Sequence, residues 1–288
     1  MKIQKVAPQI YVSTFYPDIN ASFILTDAGP VAIDAPLLPV DVEAWRRHIA
    51  DVAGQPVRNV ILTDHRLDRA LGAGRLGAPI VAGRRTFELL QSSAEDMRAG
   101  DLEVWAQDHP EAAVELEEQT IVLPEVTVDG RIVLHGTPQV VIESVNGAAP
   151  GSVWVRLVEE RVLIAGDTVV GDVHPPLDAT PDTRAWLRTL VKARRAYFPA
   201  DTIVPGRGSI CSKDDTRALS EYIQRARRRI RSIHASERDR SDIASLIMEF
   251  LDLFPIEDID QERMERRIQT GLEHVYEELK PEEEETEE

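Results

Sequence analysis

Short β-rich runs crowd the first 204 residues, and they restrict the fold more than any other feature. The runs are "QIYVS", "ASFILTDAGPVAIDA", "NVILT", "PIVAG", "RIVLHG", "QVVIESV", "VWVRLVEERVLIAGD" and "TIVPG". Where "DAG", "DG" or "EER" separates two runs, the turn chemistry predicts a hairpin. Helical patterns lie between them at residues 39–52, at 84–91 leading into a polar helical region to about residue 118, and at 183–197. Strand pairs, a helix, more strands and then helices predict a layered α/β protein, and no internal repeat points to a solenoid.

After Cys211 the pattern turns helical. "SKDDTRALSEYIQRARRRIRSIHAS" predicts one helix with Ser212 as its N-cap, and two more follow with cap candidates Ser241 and Asp260. Their apolar positions recur at helical spacing: Leu246, Ile247, Phe250, Leu251 and Phe254, then Met264, Ile268, Leu272, Val275 and Leu279. Such faces predict packing on the main domain, with a homodimer or a protein partner held through these helices as the sharper alternative. The domain division read from the sequence is therefore 1–211, a helical extension over 212–280, and a disordered acidic tail over 281–288.

A chain of 288 residues, 43% of them hydrophobic, can bury a sizeable core. It has no apolar run of the roughly 20 residues that a bilayer span needs, and no secretory signal, so the expectation is a cytoplasmic protein with no membrane contact. A formal charge of -17 makes general nucleic-acid binding unfavourable. Six glutamates after Pro281 supply part of that charge. Cys211 is the only cysteine, so an internal disulfide and a cysteine-cluster zinc site are both excluded. A metal would need His and carboxylate ligands.

Ionisable residues gather in four loops that follow strands: Asp64 to Arg69, "NGAAPGS" from Asn146, "AGDTVVGDVHP" from Ala165 and "VPGRGSI" from Val204. Their order and framing residues resemble the metallo-β-lactamase-fold hydrolase superfamily over roughly the first 210 residues. "NASFILTDAGPVAIDAP" looks like the family's first hairpin, with Asn20 opening it and Asp34 ending its second strand. "ILTDHRLDRALGAG" resembles the Thr-His-x-His-x-Asp-His loop with a trailing glycine, here Gly72. "VLIAGDTVV" looks like the strand that ends in the bridging aspartate, and "IVPGRGSI" like the Pro-Gly-His-Gly turn. The resemblance implies a four-layer αββα sandwich with its site on loops at one edge of the sheets, followed here by the helical extension.

Carried over residue by residue, the resemblance implies a degenerate metal site. Asp64, Arg66 and Arg69 stand at three histidine positions of the loop, Ala148 at the third-loop histidine and Arg207 at the histidine of the last turn. Only Asp68 and Asp167 keep the family's identity, and His65 falls between two ligand positions. In the family, imidazoles and carboxylates hold metal ions that activate a water. Here Arg66, Arg69 and Arg207 face Asp64, Asp68 and Asp167, and a guanidinium is a permanently charged fork matched to carboxylates. The leading expectation is a non-catalytic pseudo-hydrolase with a binding or assembly role, needing no cofactor and cross-linked by arginine where metal would sit.

Two alternatives compete with that reading. One is a hydrolase of esters, thioesters or phosphoesters with a non-standard site built from Asp64, His65, Asp68, Asp167 and His174, holding zinc, manganese or iron. The other is a small-anion-binding sensor using Arg66, Arg69 and Arg207. Cys211 has no histidine placed to activate it, and Ser152 and Ser209 have no nucleophile elbow. In "RARRRIR", helical geometry puts Arg225, Arg228 and Arg229 on one face and Arg227 and Arg231 on another, which predicts a solvated face paired with nearby acids.

Overall fold

In the computed structural model, which describes residues 2–16, 18–108, 110, 113–236, 238–256 and 261–280, the β-rich runs form two sheets. The first contains β1 (Gln4–Ala7), β2 (Ile10–Ser13), β3 (Ala21–Thr26), β4 (Gly29–Ile33), β5 (Asn59–Leu62), β6 (Ile80–Gly83) and β7 (Val126–Val128), in that spatial order. The second contains β8 (Arg131–Leu134), β9 (Val140–Ser144), β10 (Val153–Leu157), β11 (Val162–Gly171) and β12 (Thr202–Gly208). Most neighbours are antiparallel, but β4, β5, β6 and β7 run parallel, as do β11 and β12.

Three apolar cores separate four layers. Between the sheets, Ile24, Ile33, Ile61 and Val81 meet Val140, Ile142, Val155 and Ile164. On the outer face of the first sheet, Phe23, Val60 and Leu62 pack on Trp45 and Ile49 of α1 (Pro39–Ala53), Leu71 of α2 (Leu67–Ala73) and Leu90 of α3 (Arg84–Asp108), and α4 (Ala113–Glu117) adds Leu116. On the outer face of the second, Trp154, Leu163 and Ala165 pack on Trp186 of α5 (Thr183–Arg194) and Ile223 and Ile230 of α6 (Thr216–Ala235). The period of two in a strand makes this division: Val60 and Leu62 face the helices while Ile61 faces the other sheet.

The same third core takes in the C-terminal helices. Phe250 and Leu251 of α7 (Ile247–Leu251) and Met264, Ile268, Leu272 and Val275 of α8 (Gln261–Glu278) are buried in it, with Ile247, Phe254 and Leu279 packed at its margin. The apolar faces of the extension therefore close on the main domain.

Local details differ from the sequence reading in three places. Asp129-Gly130 does not close a hairpin, because β7 belongs to the first sheet and β8 to the second. Ser212 is not the cap of α6: its N–H and hydroxyl both donate to Asp215 in a turn before the helix begins at Thr216. Ser241 is likewise replaced by Asp239, whose carboxylate accepts from the Ser241 N–H at 2.7 Å. The Asp239 carboxylate is the stronger acceptor, whereas Asp215 holds the N-cap position of α6 without a side-chain cap bond. Asp260 and the acidic tail 281–288 lie outside the described residues.

Candidate functional site

The parallel strands bring the charged loops to one edge. Asp34 follows β4, the residues from Thr63 to Arg69 follow β5, Asp167 lies within β11 and Arg207 within β12. Close backbone approach is needed twice. A Cβ on Gly206 would lie 2.3 Å from Asp167 Oδ1, and one on Gly72 would lie 2.0 Å from the Pro36 carbonyl oxygen. Asn20 pins the last turn from across the site, donating through Nδ2 to the carbonyls of Pro205 and Gly208 at 2.9 and 2.8 Å.

Arg69 forms the centre and is 0% exposed. Its Nε donates to Asp68 Oδ1 at 3.1 Å, and Nη2 to Asp167 Oδ2 at 2.8 Å. Its Nη1 reaches the Thr63 hydroxyl at 3.0 Å, Asp34 Oδ2 at 3.3 Å and Asp64 Oδ2 at 3.5 Å. Arg207 lies beside it: Nε is 3.1 Å from both oxygens of Asp167, and Nη2 donates to Asp68 Oδ2. Arg66 is bidentate to Asp178 at 2.7 and 3.1 Å, with its Nε 3.6 Å from Asp167 Oδ2.

The network is wider than the three-against-three set read from the sequence. Asp18 joins it, 3.5 Å from Arg207 and bound by Arg263 and Arg267 of α8 at 2.7 and 2.9 Å. Asp34 is held by Thr63, whose N–H and hydroxyl donate to its two oxygens at 2.8 and 2.6 Å. Asp178 and the α8 arginines escape a sequence reading because their partners are 112, 245 and 249 residues away. The retrievable signal was the spacing of Arg263, Arg266 and Arg267, which helical geometry puts on adjoining turns of one face.

Burial and pairing split the carboxylates into two kinds. Burial pushes Asp68 upward, but Arg207, Arg69 and Arg66 outweigh it and hold the carboxyl down to about 2. Asp167 is likewise lowered against its burial by Arg207, Arg69 and Arg66. Asp178 is lowered against its burial by Arg66, and Asp18 by Arg267, Arg207 and Arg263. Asp34 goes the other way: burial, helped by Asp64, pushes it up to about 7 despite Arg69 and Thr63. The guanidinium groups of Arg66, Arg69 and Arg207 stay charged, their burial outweighed by the surrounding aspartates.

These residues do not suit a divalent ion. All four oxygens of Asp68 and Asp167 accept from guanidinium N–H groups, and a cation there would meet Arg69 and Arg207 directly. Asp64 Oδ1 accepts from the Arg66 N–H at 3.0 Å, and the His65 ring meets the Pro150 carbonyl at 3.3 Å. His174 is 1% exposed and packed edge-on against Tyr222 and Phe254. The fallback ligand set of Asp64, His65, Asp68, Asp167 and His174 thus does not converge. No group of three or more His, Cys, Asp or Glu among the described residues could hold a metal. Ala148 is a buried core residue beside Trp154.

Other sequence candidates also resolve. Burial pushes the Cys211 thiol up to about 12, which leaves it unreactive at neutral pH. The Ser152 hydroxyl donates to the Ala149 carbonyl at 2.7 Å. In the arginine run, Arg225 and Arg229 reach Glu249 at 4.0 and 2.9 Å and Arg227 pairs with Glu278. Arg228 lies with Arg227 and Arg231, not with Arg225 and Arg229 as the sequence reading had it.

A cleft of about 370 Å³ opens above the arginine centre. Arg66, Asp68, Asp178, Arg207, Arg263 and Arg267 line its polar side, and Tyr16, Leu37, Leu38 and Trp105 its apolar side. No helix among the described residues is long and apolar enough to cross a membrane.

No family model matches the chain. Among solved structures it is similar to a metallo-β-lactamase family protein from Thermus thermophilus, at 19% identity and a TM-score of 0.66 over 95% of this chain and 93% of that one. It is also similar to a metallo-β-lactamase from Pontibacter korlensis, at 19% identity and a TM-score of 0.60 over 77% and 98%. DIM-1 metallo-β-lactamase matches at 17% identity and a TM-score of 0.62 over 78% and 97%. The chain therefore has the metallo-β-lactamase fold. The likeness to the Thermus protein runs on into the C-terminal helices, because 95% of the chain cannot be covered without them.

Proposed function

We propose that this chain is a non-hydrolytic protein of the metallo-β-lactamase fold, in which an arginine–aspartate cross-link stands where the family places metal and the cleft above it serves binding or assembly. The supporting observation is the complete engagement of Asp68 and Asp167: each of their four oxygens accepts from Arg69 or Arg207. On the family correspondence these two aspartates are the ligands that keep their identity, while Asp64, Arg66, Arg69, Ala148 and Arg207 replace the rest. A guanidinium supplies the positive charge of the ion without an open coordination position, so it can tie loops together but cannot activate a water.

Metal analysis tests this. Protein purified without chelator or added metal should carry less than about 0.1 equivalent of zinc, manganese or iron, and adding these ions should not raise its melting temperature. One equivalent of tightly held metal would overturn the reading in favour of a non-standard hydrolase.

A second reading, the binding of a small anion, is favoured by the cleft lining, where five arginines (66, 207, 263, 266 and 267) meet four aspartates (18, 41, 68 and 178). Arg69 takes no part in it, being wholly buried and engaged. A thermal-shift screen with phosphate, nucleotides and small carboxylates separates the two readings: stabilisation lost in Arg66→Ala supports the anion site.

A further inference from the structure

Away from that centre, a cationic groove of about 370 Å³ runs between α5 and α6, lined by Arg184, Leu187, Gln224, Arg227, Arg228 and Arg231. Arg184, Arg228 and Arg231 are exposed, and no carboxylate among the described residues pairs with them. Arg227 is buried beneath them. Its Nη1 donates to Glu278 Oε1 at 2.8 Å and also reaches the Thr183 hydroxyl, to which Glu278 is bonded at 2.8 Å. His234, further along α6, stacks on Tyr276 at 4.1 Å.

These contacts hold the end of α8 against α5 and α6. Glu278 is the last residue of α8, and the described residues end two positions later at Lys280. The described chain thus ends two residues beyond a contact with the groove's Arg227. Of residues 282–288, six are glutamate. The eight residues from 281 can span up to about 26 Å, while Gln224 to Arg231 occupy about 10 Å along their helix. Length is not limiting, and the signs of charge are complementary.

Charge also selects the occupant. The molecule carries -17 overall, so a free polyanion approaches the groove against the field of the whole protein. A segment tethered at the groove's edge pays no second loss of translational freedom and is present at an effective concentration of order millimolar. We propose that residues 282–288 dock along Arg184, Arg228 and Arg231 as an intramolecular ligand, so that an external acidic segment enters the groove only by displacing them.

Disulfide trapping in the full chain tests the docking without removing a charge. In a Cys211→Ser background, Gln224→Cys in the groove is paired with Thr286→Cys, and Val114→Cys, 69% exposed on a helix of the opposite layer, gives the control pair. Under mild oxidation in low salt the groove pair should cross-link roughly tenfold more than the control, and the excess should vanish at about 0.5 M salt. Combined substitution of Arg184, Arg228 and Arg231 by Ser should abolish it. Equal yields for the two pairs, or a salt-independent excess, would overturn the proposal.

A second measurement stands even if the triple variant does not fold. A fluorescein-labelled peptide of sequence 281–288 is titrated into the wild type and into a variant with its six tail glutamates changed to Gln. Binding at least about tenfold tighter to the variant is expected, because its groove is vacated. Equal binding to both would show a groove open to outside partners, and binding to neither would show a groove that takes no acidic segment; either result overturns the docking.

Discussion

Two clusters of arginine do opposite things in this molecule. Around Arg69 the guanidinium groups are buried, each faces several carboxylates, and the loops of both sheets are tied through them. Between α5 and α6, Arg184, Arg228 and Arg231 stand in solvent with no carboxylate partner among the described residues. Residue type is constant, so the difference lies in burial. A guanidinium deprived of water must be paired, and its removal strands the carboxylates it served. One left in water forms weak, screened contacts that a partner can make and break.

The strongest way to break this contrast is Arg69→Ala. It leaves Asp34, Asp64, Asp68 and Asp167 without their shared cation, and the loss should be about 5 kcal/mol, a large share of a typical domain's stability. Urea unfolding followed by circular dichroism measures it. Arg207→Ala should cost somewhat less, about 3 kcal/mol, since Arg69 still reaches Asp68 and Asp167. An unchanged melting temperature would mean that Arg207 does not cross-link the loops.

Acid should sharpen the contrast. The folded pKa values of Asp18, Asp68, Asp167 and Asp178 are depressed, so their stabilising contribution is complete above the unfolded value near 4 and is lost as pH falls through the depressed folded values, about 2 for Asp68. In Arg207→Ala that stretch of the stability curve should be shallower. His174 adds a separate slope. Burial and the charge of Arg267 lower its pKa to about 4, while the backbone at Leu251 and Phe254 opposes the shift without reaching hydrogen-bond geometry. The folded state thus takes up its proton later than the unfolded one, and stability falls as pH drops from about 6.5 to 4. His174→Phe should remove up to about 3 kcal/mol of that fall. The smallest effect belongs to the groove: Arg231→Ser should alter unfolding by less than about 0.5 kcal/mol.

How much of this was legible in the sequence depends on distance along the chain. The strands declared themselves because their apolar alternation is local, and Arg66, Arg69 and Arg207 could be set against Asp64, Asp68 and Asp167 because each stands in or just after a recognisable strand, at a position the family resemblance marks. Asp18 and Asp178 were illegible, since nothing near either one points to an arginine 112 or 249 residues away. The turn at Asp129-Gly130 was misread for a related reason. Its residues specify a reversal, but which sheet the next strand joins is decided by the apolar faces of β8 and β9. The cap positions failed at shorter range: Asp239 caps in place of Ser241, and Ser212 is held by Asp215 in the turn before its helix.

Asp18 also sets an order in time. Its neighbours Arg263 and Arg267 leave the ribosome after every strand of both sheets, and at about 5 to 20 residues per second some 3 to 11 s separate the synthesis of Arg207 from that of Arg263. During that interval the arginine centre can already assemble, since Arg69, Asp167 and Arg207 are all in hand. The wall of the cleft that faces it cannot. Whatever binds there must therefore meet a molecule whose synthesis has passed α8, and a nascent chain has no finished site to offer.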